Sequence, residues 1–536
     1  MKIIIYQILM RLYGNKNKTR KANGTIEENG CGKMNNLSAN ELKKIRELGA
    51  THVWYTGILR HASTTDYSFY GIPCQHPAVV KGKAGSPYAI ADYYDVDPDL
   101  AVVIDKRMDE FEQLVSRTHK AGLKVIIDFV PNHVARQYRS IAKPDGVRDL
   151  GEDDDTSMGF LPAKNNFYYC PDQAFMPYLD LYHGAKEPYQ EKPAKATGND
   201  CFHNSPTRND WYETVKLNYG VDYYAGGTGH FTPMPDTWHK MLHILLYWAG
   251  KRVDAFRCDM AEMVPPEFWD WAIAKVKEKY PEVQFIAEVY NPQKYRRYIA
   301  AGFDYLYDKV GMYDTLCGVL QHHRPAESIT HAWQQNDDIR QHMLYFLENH
   351  DELRLASDFL VGDGRRALPA LVVASLLQSG PFMLYAGQEW GERGMDAEGF
   401  SGHDGRTTIF DYWTLTPRHN DLYDLYSRVL GIARRERAVG EGLMFDLMYV
   451  NGHLREQYAF LRKADRELLL VVANFADVPA ECDVCLPAHA FDYLELAEGD
   501  YEAVDLLNGE TTKHGLRRNQ DVHLSLEAHG AIILKF

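Results

Sequence analysis

The chain has 536 residues, of which 45% are hydrophobic and 25% charged, a composition typical of globular proteins. Because single domains rarely grow beyond about 300 residues, more than one domain is expected. The formal net charge of −15 argues against nucleic acid as a partner, and no run approaches the roughly 20 apolar residues that cross a membrane.

Eight short runs rich in apolar and β-branched residues recur along the chain, and segments of helical length such as 38–48, 108–121 and 266–280 lie between most of them. This alternation is typical of parallel βα units. Eight such units close into a (β/α)8 TIM barrel, so we predict an α/β fold of that kind. The predicted strands are 3–9, 51–57, 124–129, 252–258, 284–288, 303–307, 343–348 and 381–386.

Two regions depart from this alternation of strands and helices. Residues 134–230, rich in Gly, Pro, Asp, Asn and Tyr, are too long for a simple loop and predict a domain inserted after strand three. Beyond residue 439, short alternating strands with turn signals predict a C-terminal antiparallel β-sandwich. The predicted domains are therefore a barrel (1–133 and 231–439), the insert (134–230) and a C-terminal β domain (440–536).

The amino terminus and the cysteines bear on the location of the protein. The first residues combine a basic start with an apolar run, yet they lack the small-residue cleavage site of a signal peptide, and we interpret them as a strand. The eight cysteines are scattered, unlike those of a disulfide scaffold. Cys482 and Cys485 form a C-x-x-C in a strand-like segment without a second ligand pair, so a structural role is predicted. A cytoplasmic protein is expected.

Polar residues follow the apolar part of several predicted strands. In a TIM barrel the active site is built at the carboxyl ends of the strands, so these side chains are expected at one mouth. An ion-pair network that only stabilises the mouth is the alternative, but burying so many charged groups is costly unless function retains them. The group comprises three carboxylates, one arginine and two histidines: Asp259, Glu288, Asp351, Arg257, His133 and His350.

The carboxylates suit the cleavage of a glycosidic bond. One carboxylate attacks the sugar carbon while a second, protonated, gives its proton to the leaving oxygen, and retaining enzymes hold this pair about 5 to 5.5 Å apart. Neighbouring strands four and five, which carry Asp259 and Glu288, supply such a separation. Arg257 lies two residues before Asp259, on the same strand face, and is expected to keep that carboxylate ionised.

At these positions the sequence resembles the α-amylase family, glycoside hydrolase family 13. The similarity covers the family's four short motifs in order, at 128–133, 254–259, 288 and 349–351, and extends to the inserted and C-terminal domains. It implies an α-amylase-type glycosidase that cleaves α-glucosidic bonds, mainly α-1,4, in starch, glycogen or malto-oligosaccharides by double displacement. The resemblance makes Asp259 the nucleophile, Glu288 the general acid/base and Asp351 the carboxylate that stabilises the transition state.

The same resemblance implies which residues line the sugar subsite. Arg257, His133 and His350 would surround it. Tyr88, in the segment SPYAIADYY (86–94), resembles the family's tyrosine on which the scissile sugar ring stacks. The two residues before this tyrosine are Ser-Pro, where the family usually has His-Gly.

A further segment bears on calcium. VKLNY (215–219) resembles the family's fifth motif and carries Lys216 where calcium-dependent amylases have aspartate. Members with lysine there resemble neopullulanases and cyclomaltodextrinases, so no cofactor is expected and the structural calcium is predicted to be absent. Asn132 matches one usual calcium ligand and would be the metal-binding residue if calcium were present. The alternative is a surface lysine in a shifted loop.

The residues after Asp259 differ from those of many family members. MAEMVPP (260–266) replaces a Lys-His pair that meets the leaving-side sugar, and Glu262 is expected to contact the acceptor. Because this run is similar to maltosyltransferases, and a less polar site favours sugar over water, an α-glucan transglycosylase is the alternative function. An inactive sugar-binding relative is a remote alternative, since such relatives lose carboxylates that this chain retains.

Overall fold

Eight parallel strands form a closed barrel in which each strand pairs with its neighbours in chain order. The computed structural model describes residues 1–395 and 405–536. All eight predicted strands are present, which confirms the TIM barrel, and all but the third are one to three residues shorter than predicted. The strands are β1 (Ile4–Leu9), β2 (His52–Thr56), β3 (Lys124–Phe129), β4 (Ala255–Cys258), β5 (Gln284–Ala287), β6 (Tyr305–Tyr307), β7 (Met343–Phe346) and β8 (Phe382–Tyr385).

The barrel interior is filled by apolar side chains from alternate strand positions. They form a closely packed apolar core beneath the mouth, and this core supports the polar groups at the strand ends. This core includes Ile5, Trp54, Ile126, Ala255, Ile286, Leu344, Phe346 and Met383.

Helices cover the outside of the barrel, and their ends follow the capping signals of the sequence. The first begins after Ser38, whose hydroxyl accepts a hydrogen bond from the Glu41 amide at 3.2 Å, and ends at Gly49, whose φ of 121° suits glycine. No helix in the described ranges is long and apolar enough to cross a membrane. The α-helices of six residues or more are α1 (Ala39–Leu48), α2 (Arg107–Lys120), α3 (Asp236–Gly250), α4 (Pro266–Lys279), α5 (Tyr295–Ala300), α6 (Asp314–Leu320), α7 (Ser328–Gln334), α8 (Leu368–Leu376), α9 (Asp421–Arg435) and α10 (Ala488–Leu494).

The insert after β3 leaves and rejoins the barrel through one antiparallel pair of short strands. His133–Ala135 pairs with Thr214–Lys216, and His133 stands directly opposite Lys216. Further along the insert, Tyr169–Cys170 pairs with Ala194–Lys195. The position of the insert after the third strand is as predicted, and its root lies at the barrel mouth.

The C-terminal region is antiparallel, as predicted. Six strands form one sheet in the order β9-β10-β11-β16-β13-β14, while β12 pairs separately with β15. Cys482 and Cys485 both lie on β12, and both are free thiols. The strands are β9 (Leu443–Asp446), β10 (Gln457–Ala464), β11 (Glu467–Asn474), β12 (Ala480–Leu486), β13 (Gly499–Asp505), β14 (Thr511–Leu516), β15 (Gln520–Leu526) and β16 (Ala531–Lys535).

A buried arginine joins the C-terminal sheet to the barrel. Arg462, on β10, is only 2% exposed. Its guanidinium donates hydrogen bonds to the carbonyl oxygens of Leu377 at 3.0 Å, Ala438 at 2.9 Å and Val439 at 2.6 Å. The first of these carbonyls follows α8, where the negative end of the helix dipole favours a cation. A side chain of the C-terminal sheet therefore satisfies three carbonyl groups of the barrel.

We predict that Arg462→Ala lowers the free energy of unfolding by about 3 kcal/mol, because several buried carbonyls lose their donor and a cavity opens. Urea denaturation measures the change. Arg466→Ala, at an exposed position in the turn between β10 and β11, is the control and should stay within about 0.5 kcal/mol of the unsubstituted protein. Equal stability of the two variants would contradict the role given to Arg462.

Candidate active site

The ends of β4 and β5 bring two carboxyl groups side by side. The ladder continues one residue past each strand, since the amide of Asp259 donates to the Phe129 carbonyl at 2.9 Å and the amide of Glu288 donates to the Cys258 carbonyl at 3.1 Å. These bonds set the Cα positions of both residues. Asp351 follows β7 in a turn, where its amide donates to the Asn349 side chain at 2.8 Å.

Arg257 lies at the centre of the site and is fully buried. Its Nη1 donates a hydrogen bond to Asp259 Oδ1 at 2.6 Å, and its Nη2 lies 2.8 Å from Glu288 Oε2. Nη1 is also 3.5 Å from Asp128 Oδ1, beneath the other two carboxyl groups. The contact with Asp259 is a well-aligned hydrogen bond whereas the contact with Glu288 is not, so the guanidinium holds Asp259 more firmly.

Burial and the guanidinium act on Asp259 in opposite directions. Burial raises the pKa of Asp259 well above its ordinary value, while Arg257 favours the charged form. Burial likewise raises the pKa of Asp128 to about 6 and raises the pKa of Asp351. The sequence-based expectation that Arg257 alone sets the charge of Asp259 omitted this desolvation.

Tyr88 and His350 form a second layer of the site. The rings are stacked, with centroids 5.2 Å apart. Burial lowers the pKa of His350 to about 3, so the imidazole is neutral near pH 7. Gln7 Nε2 lies 2.8 Å from Nδ1 and donates to it, which leaves the ring proton on Nε2. That atom lies 2.5 Å from the Tyr88 hydroxyl and 3.1 Å from Asp351 Oδ2.

Glu288 is held by groups that follow the ends of β4 and β5. The Tyr290 hydroxyl donates to Glu288 Oε1 at 2.5 Å, and the Met260 amide donates to Oε2 at 2.7 Å. Tyr290 follows Glu288 by two residues, so strand alternation could have found it. Glu262, predicted to contact the acceptor, instead turns toward the backbone: its carboxylate lies 3.3 Å from the Tyr290 amide and 3.6 Å from Lys294 Nζ.

These groups open into one cavity of about 250 Å³ at the barrel mouth. Arg257 and His350 lie just behind its wall, and Glu262 lies outside its lining. The cavity brings together the predicted residues Tyr88, His133, Asp259, Glu288 and Asp351, and it includes Met260 of the segment 260–266. It also adds residues that no sequence motif marked: Lys81, Trp211, Glu213, Tyr290 and Phe410.

Lys216 is buried beside the cavity, so the alternative of a surface lysine is wrong. Its side chain is 2% exposed, and Nζ lies 2.6 Å from both Asn132 Oδ1 and Asp200 Oδ1. The Asn132 amide nitrogen donates to the Gly198 carbonyl, which turns the amide oxygen toward the lysine. Burial lowers the pKa of Lys216, and the Asp200 carboxylate opposes that shift. In the described part of the chain, no group of three or more His, Cys, Asp or Glu side chains could hold a metal ion.

Two family models match the chain. The model described as alpha amylase, catalytic domain, matches residues 18–421, and the model described as alpha amylase, C-terminal all-beta domain, matches residues 449–536. The chain belongs to the α-amylase family. The positions of Asp259, Glu288 and Asp351 at the ends of β4, β5 and β7 agree with the family resemblance seen in the sequence.

The relatives have low sequence identity to this chain, but the matches cover most of its length. Alpha-amylase 3 of Dictyoglomus thermophilum is 22% identical over 72% of this chain and 74% of its own length. A cyclomaltodextrinase from a Bacillus species is 24% identical over 74% of this chain, which spans only 61% of that relative. Among solved structures, the maltogenic α-amylase AmyB from Thermotoga neapolitana superposes with a TM-score of 0.66 at 18% identity, covering 100% of this chain and 98% of AmyB. At that identity the superposition supports the fold alone.

Proposed function

We propose that this α-amylase family member is a retaining glycoside hydrolase that cleaves α-glucosidic bonds, mainly α-1,4, in starch, glycogen or malto-oligosaccharides. The observation that carries the proposal is the Arg257 bridge between Asp259 Oδ1 and Glu288 Oε2, with Asp351 facing the same cavity. Two carboxyl groups on one guanidinium are close enough for double displacement at a single carbon. The names of the relatives, an α-amylase and a cyclomaltodextrinase, support the substrate class.

In the first step Asp259 attacks the anomeric carbon as the bond to the leaving oxygen breaks, and Glu288 transfers its proton to that oxygen. The products are a glycosyl ester on Asp259 and a free leaving sugar. In the second step Glu288 takes a proton from water, whose oxygen attacks the same carbon and releases Asp259. Met260 and Tyr290, which donate hydrogen bonds to Glu288, hold its carboxyl group in position for both transfers.

The remaining groups orient the sugar. Tyr88 offers an aromatic face for the apolar face of the reacting ring. His350, neutral and protonated on Nε2, lies behind the wall beside the Tyr88 hydroxyl and Asp351 Oδ2 and positions both groups. Asp351 lines the cavity, where its carboxylate accepts a hydrogen bond from a sugar hydroxyl. His133, whose pKa burial lowers to about 3, is also neutral and lines the cavity.

Transfer of the glycosyl group to a second sugar is the other candidate function. The observation that favours it is the presence of Met260 in the cavity lining, where its backbone amide donates to Glu288 Oε2. An apolar surface there retains a sugar acceptor better than it retains water.

We also propose that the Lys216 ammonium takes the place of a structural calcium ion. It lies between two oxygen atoms, Asn132 Oδ1 and Asp200 Oδ1, of the kind that calcium prefers. A cation in this position joins the insert to the end of β3.

Incubation with maltoheptaose distinguishes hydrolysis from transfer. We expect only shorter maltosaccharides at all times, resolved by chain length on a chromatographic column. Early products longer than the substrate would establish the transferase instead. No change on this and other α-glucosides would contradict both activities.

The roles of Asp259 and Glu288 predict different responses to α-maltosyl fluoride, whose fluoride leaves without needing a proton. Asp259→Asn should lower fluoride release at least about a thousandfold, because an amide does not form the glycosyl ester. Glu288→Gln should release a rapid burst of fluoride followed by slow turnover, because only the second step then needs its base. Asp270→Asn, exposed on α4, is the control with normal activity. Near-normal fluoride release by Asp259→Asn would contradict the assignment of Asp259 as the nucleophile.

Chelation and a single substitution test the calcium proposal. EDTA should leave the activity and the Tm of the protein unchanged. Lys216→Asp supplies a third oxygen ligand beside Asn132 and Asp200, so this variant should gain a Tm that rises with calcium and falls with EDTA. Lys186→Asp, at an exposed position of the insert, is the control and should show no calcium response. A lower Tm of the unsubstituted protein in EDTA would contradict the proposal and indicate a bound metal ion.

A further inference from the structure

A buried ion pair stands in the wall of the cavity, away from the catalytic carboxyl groups. Lys81 Nζ lies 3.0 Å from Glu213 Oε2, and the two side chains are only 10% and 5% exposed. The same ammonium lies 5.2 Å from the centre of the Tyr212 ring and 5.9 Å from that of Phe410. Lys81 and Glu213 both line the cavity. Neither residue has a part in the double displacement described above.

Three separate segments are joined at this wall. The ion pair links the loop after β2, which carries Lys81, to the insert. The same loop is linked to the segment after β8, since the Ala84 amide donates to the Phe410 carbonyl at 3.1 Å. Gly82 makes this approach possible: its φ is 66°, and a Cβ there would lie 2.1 Å from the same carbonyl oxygen. Within residues 1–395 and 405–536, these contacts tie the loops together at this end of the cavity.

The loops that carry Lys81 and Phe410 leave the barrel on the side opposite the strand of Glu288. Because the eight strands close in chain order, β1 is diametrically opposite β5. Lys81 and Phe410 come from the loops after β2 and β8, the two neighbours of β1, and Glu213 comes from the insert after β3, whereas Glu288 follows β5. A leaving sugar departs on the side of the group that protonates it, so the wall faces the other part of the substrate, the part that becomes bound to Asp259. This step rests on the proposed function.

One polar atom of the wall keeps capacity for a ligand, while Lys81 Nζ also donates to the Asp210 carbonyl at 3.3 Å. Glu213 Oε2 accepts no well-aligned hydrogen bond in the described part of the chain, although the residue is 4% exposed and its lysine partner is close by. A buried acceptor of this kind is costly unless a ligand satisfies it. An ammonium next to a carboxylate presents a donor and an acceptor side by side, which matches two neighbouring hydroxyl groups.

We infer that Lys81 and Glu213 bind the 3- and 4-hydroxyl groups of the non-reducing terminal glucose unit and end the cavity there, so that the enzyme removes short saccharides from chain ends. Only a terminal unit has a free 4-hydroxyl, because in an α-1,4-linked chain every other unit carries the next glycosidic bond at that position. The pair therefore recognises a chain end by its chemistry as well as by the closed wall.

The test compares two forms of p-nitrophenyl maltoheptaoside, one with a free non-reducing end and one with that end blocked by a 4,6-ethylidene group. Products are resolved by chromatography. We expect the unsubstituted protein to cleave the free form at least about tenfold faster, the factor that corresponds to one lost hydrogen-bonded contact. Equal rates on both forms would overturn the inference and leave the proposed hydrolase intact. Cleavage of neither form would overturn the proposed function and the inference with it.

A double substitution tests the residues themselves. Lys81→Met with Glu213→Leu removes both charges together and so avoids an unpaired buried charge. The KM for the free form should rise about tenfold, and the preference for the free over the blocked form should disappear. Lys83→Met, in the same loop and away from the cavity lining, is the control that keeps the preference. An unchanged preference in a double variant with an unchanged Tm would contradict the assignment.

Discussion

The site depends on one buried guanidinium whose positive charge must offset the negative charges of several carboxyl groups. Arg257 contacts Asp259, Glu288 and Asp128, and a fourth carboxyl group, Asp351, lies in the same cavity. One positive charge does not offset four negative charges where water is excluded. Burial accordingly raises the pKa of Asp259, Asp128 and Asp351 above their ordinary values, while Arg257 favours the charged forms. A double displacement needs a protonated carboxyl group beside an ionised nucleophile at its start, and one guanidinium among several buried carboxyl groups suits that division.

Side chains of the barrel fix the orientation of Arg257 among these carboxyl groups. The guanidinium is enclosed by aromatic rings, with Trp54 at 5.2 Å, Tyr88 at 5.4 Å and Tyr307 at 5.5 Å from its central carbon. These faces favour a planar cation, and the Trp54 indole also donates to Asp128 at 3.0 Å. Charge and packing together leave Arg257 one orientation, and through it they orient the carboxyl groups that it contacts.

The sequence predicts the site residues at the strand ends of the barrel but not the site residues that the loops contribute. Asp259 and Glu288 could be predicted because they end apolar strands, and strand ends meet at one mouth. Lys81 and Glu213 belong to loops without periodicity, and only the folded chain brings these positions, more than a hundred residues apart, into contact. Glu262 lies outside the cavity lining for a related reason: its place near the mouth can be predicted, but the direction of its side chain depends on a turn that carries no sequence signal.

One antiparallel pair of short strands couples the wall of the cavity to the internal cation. His133, which lines the cavity, stands opposite Lys216 in register, and Glu213 precedes the strand of Lys216 by one residue. The lysine thus anchors the strand pair that presents the neutral imidazole on one strand and the wall carboxylate next to the other. A covalently attached cation does not dissociate as a bound ion does. If the ammonium replaces calcium, as proposed, the shape of the sugar cavity is set by the chain alone.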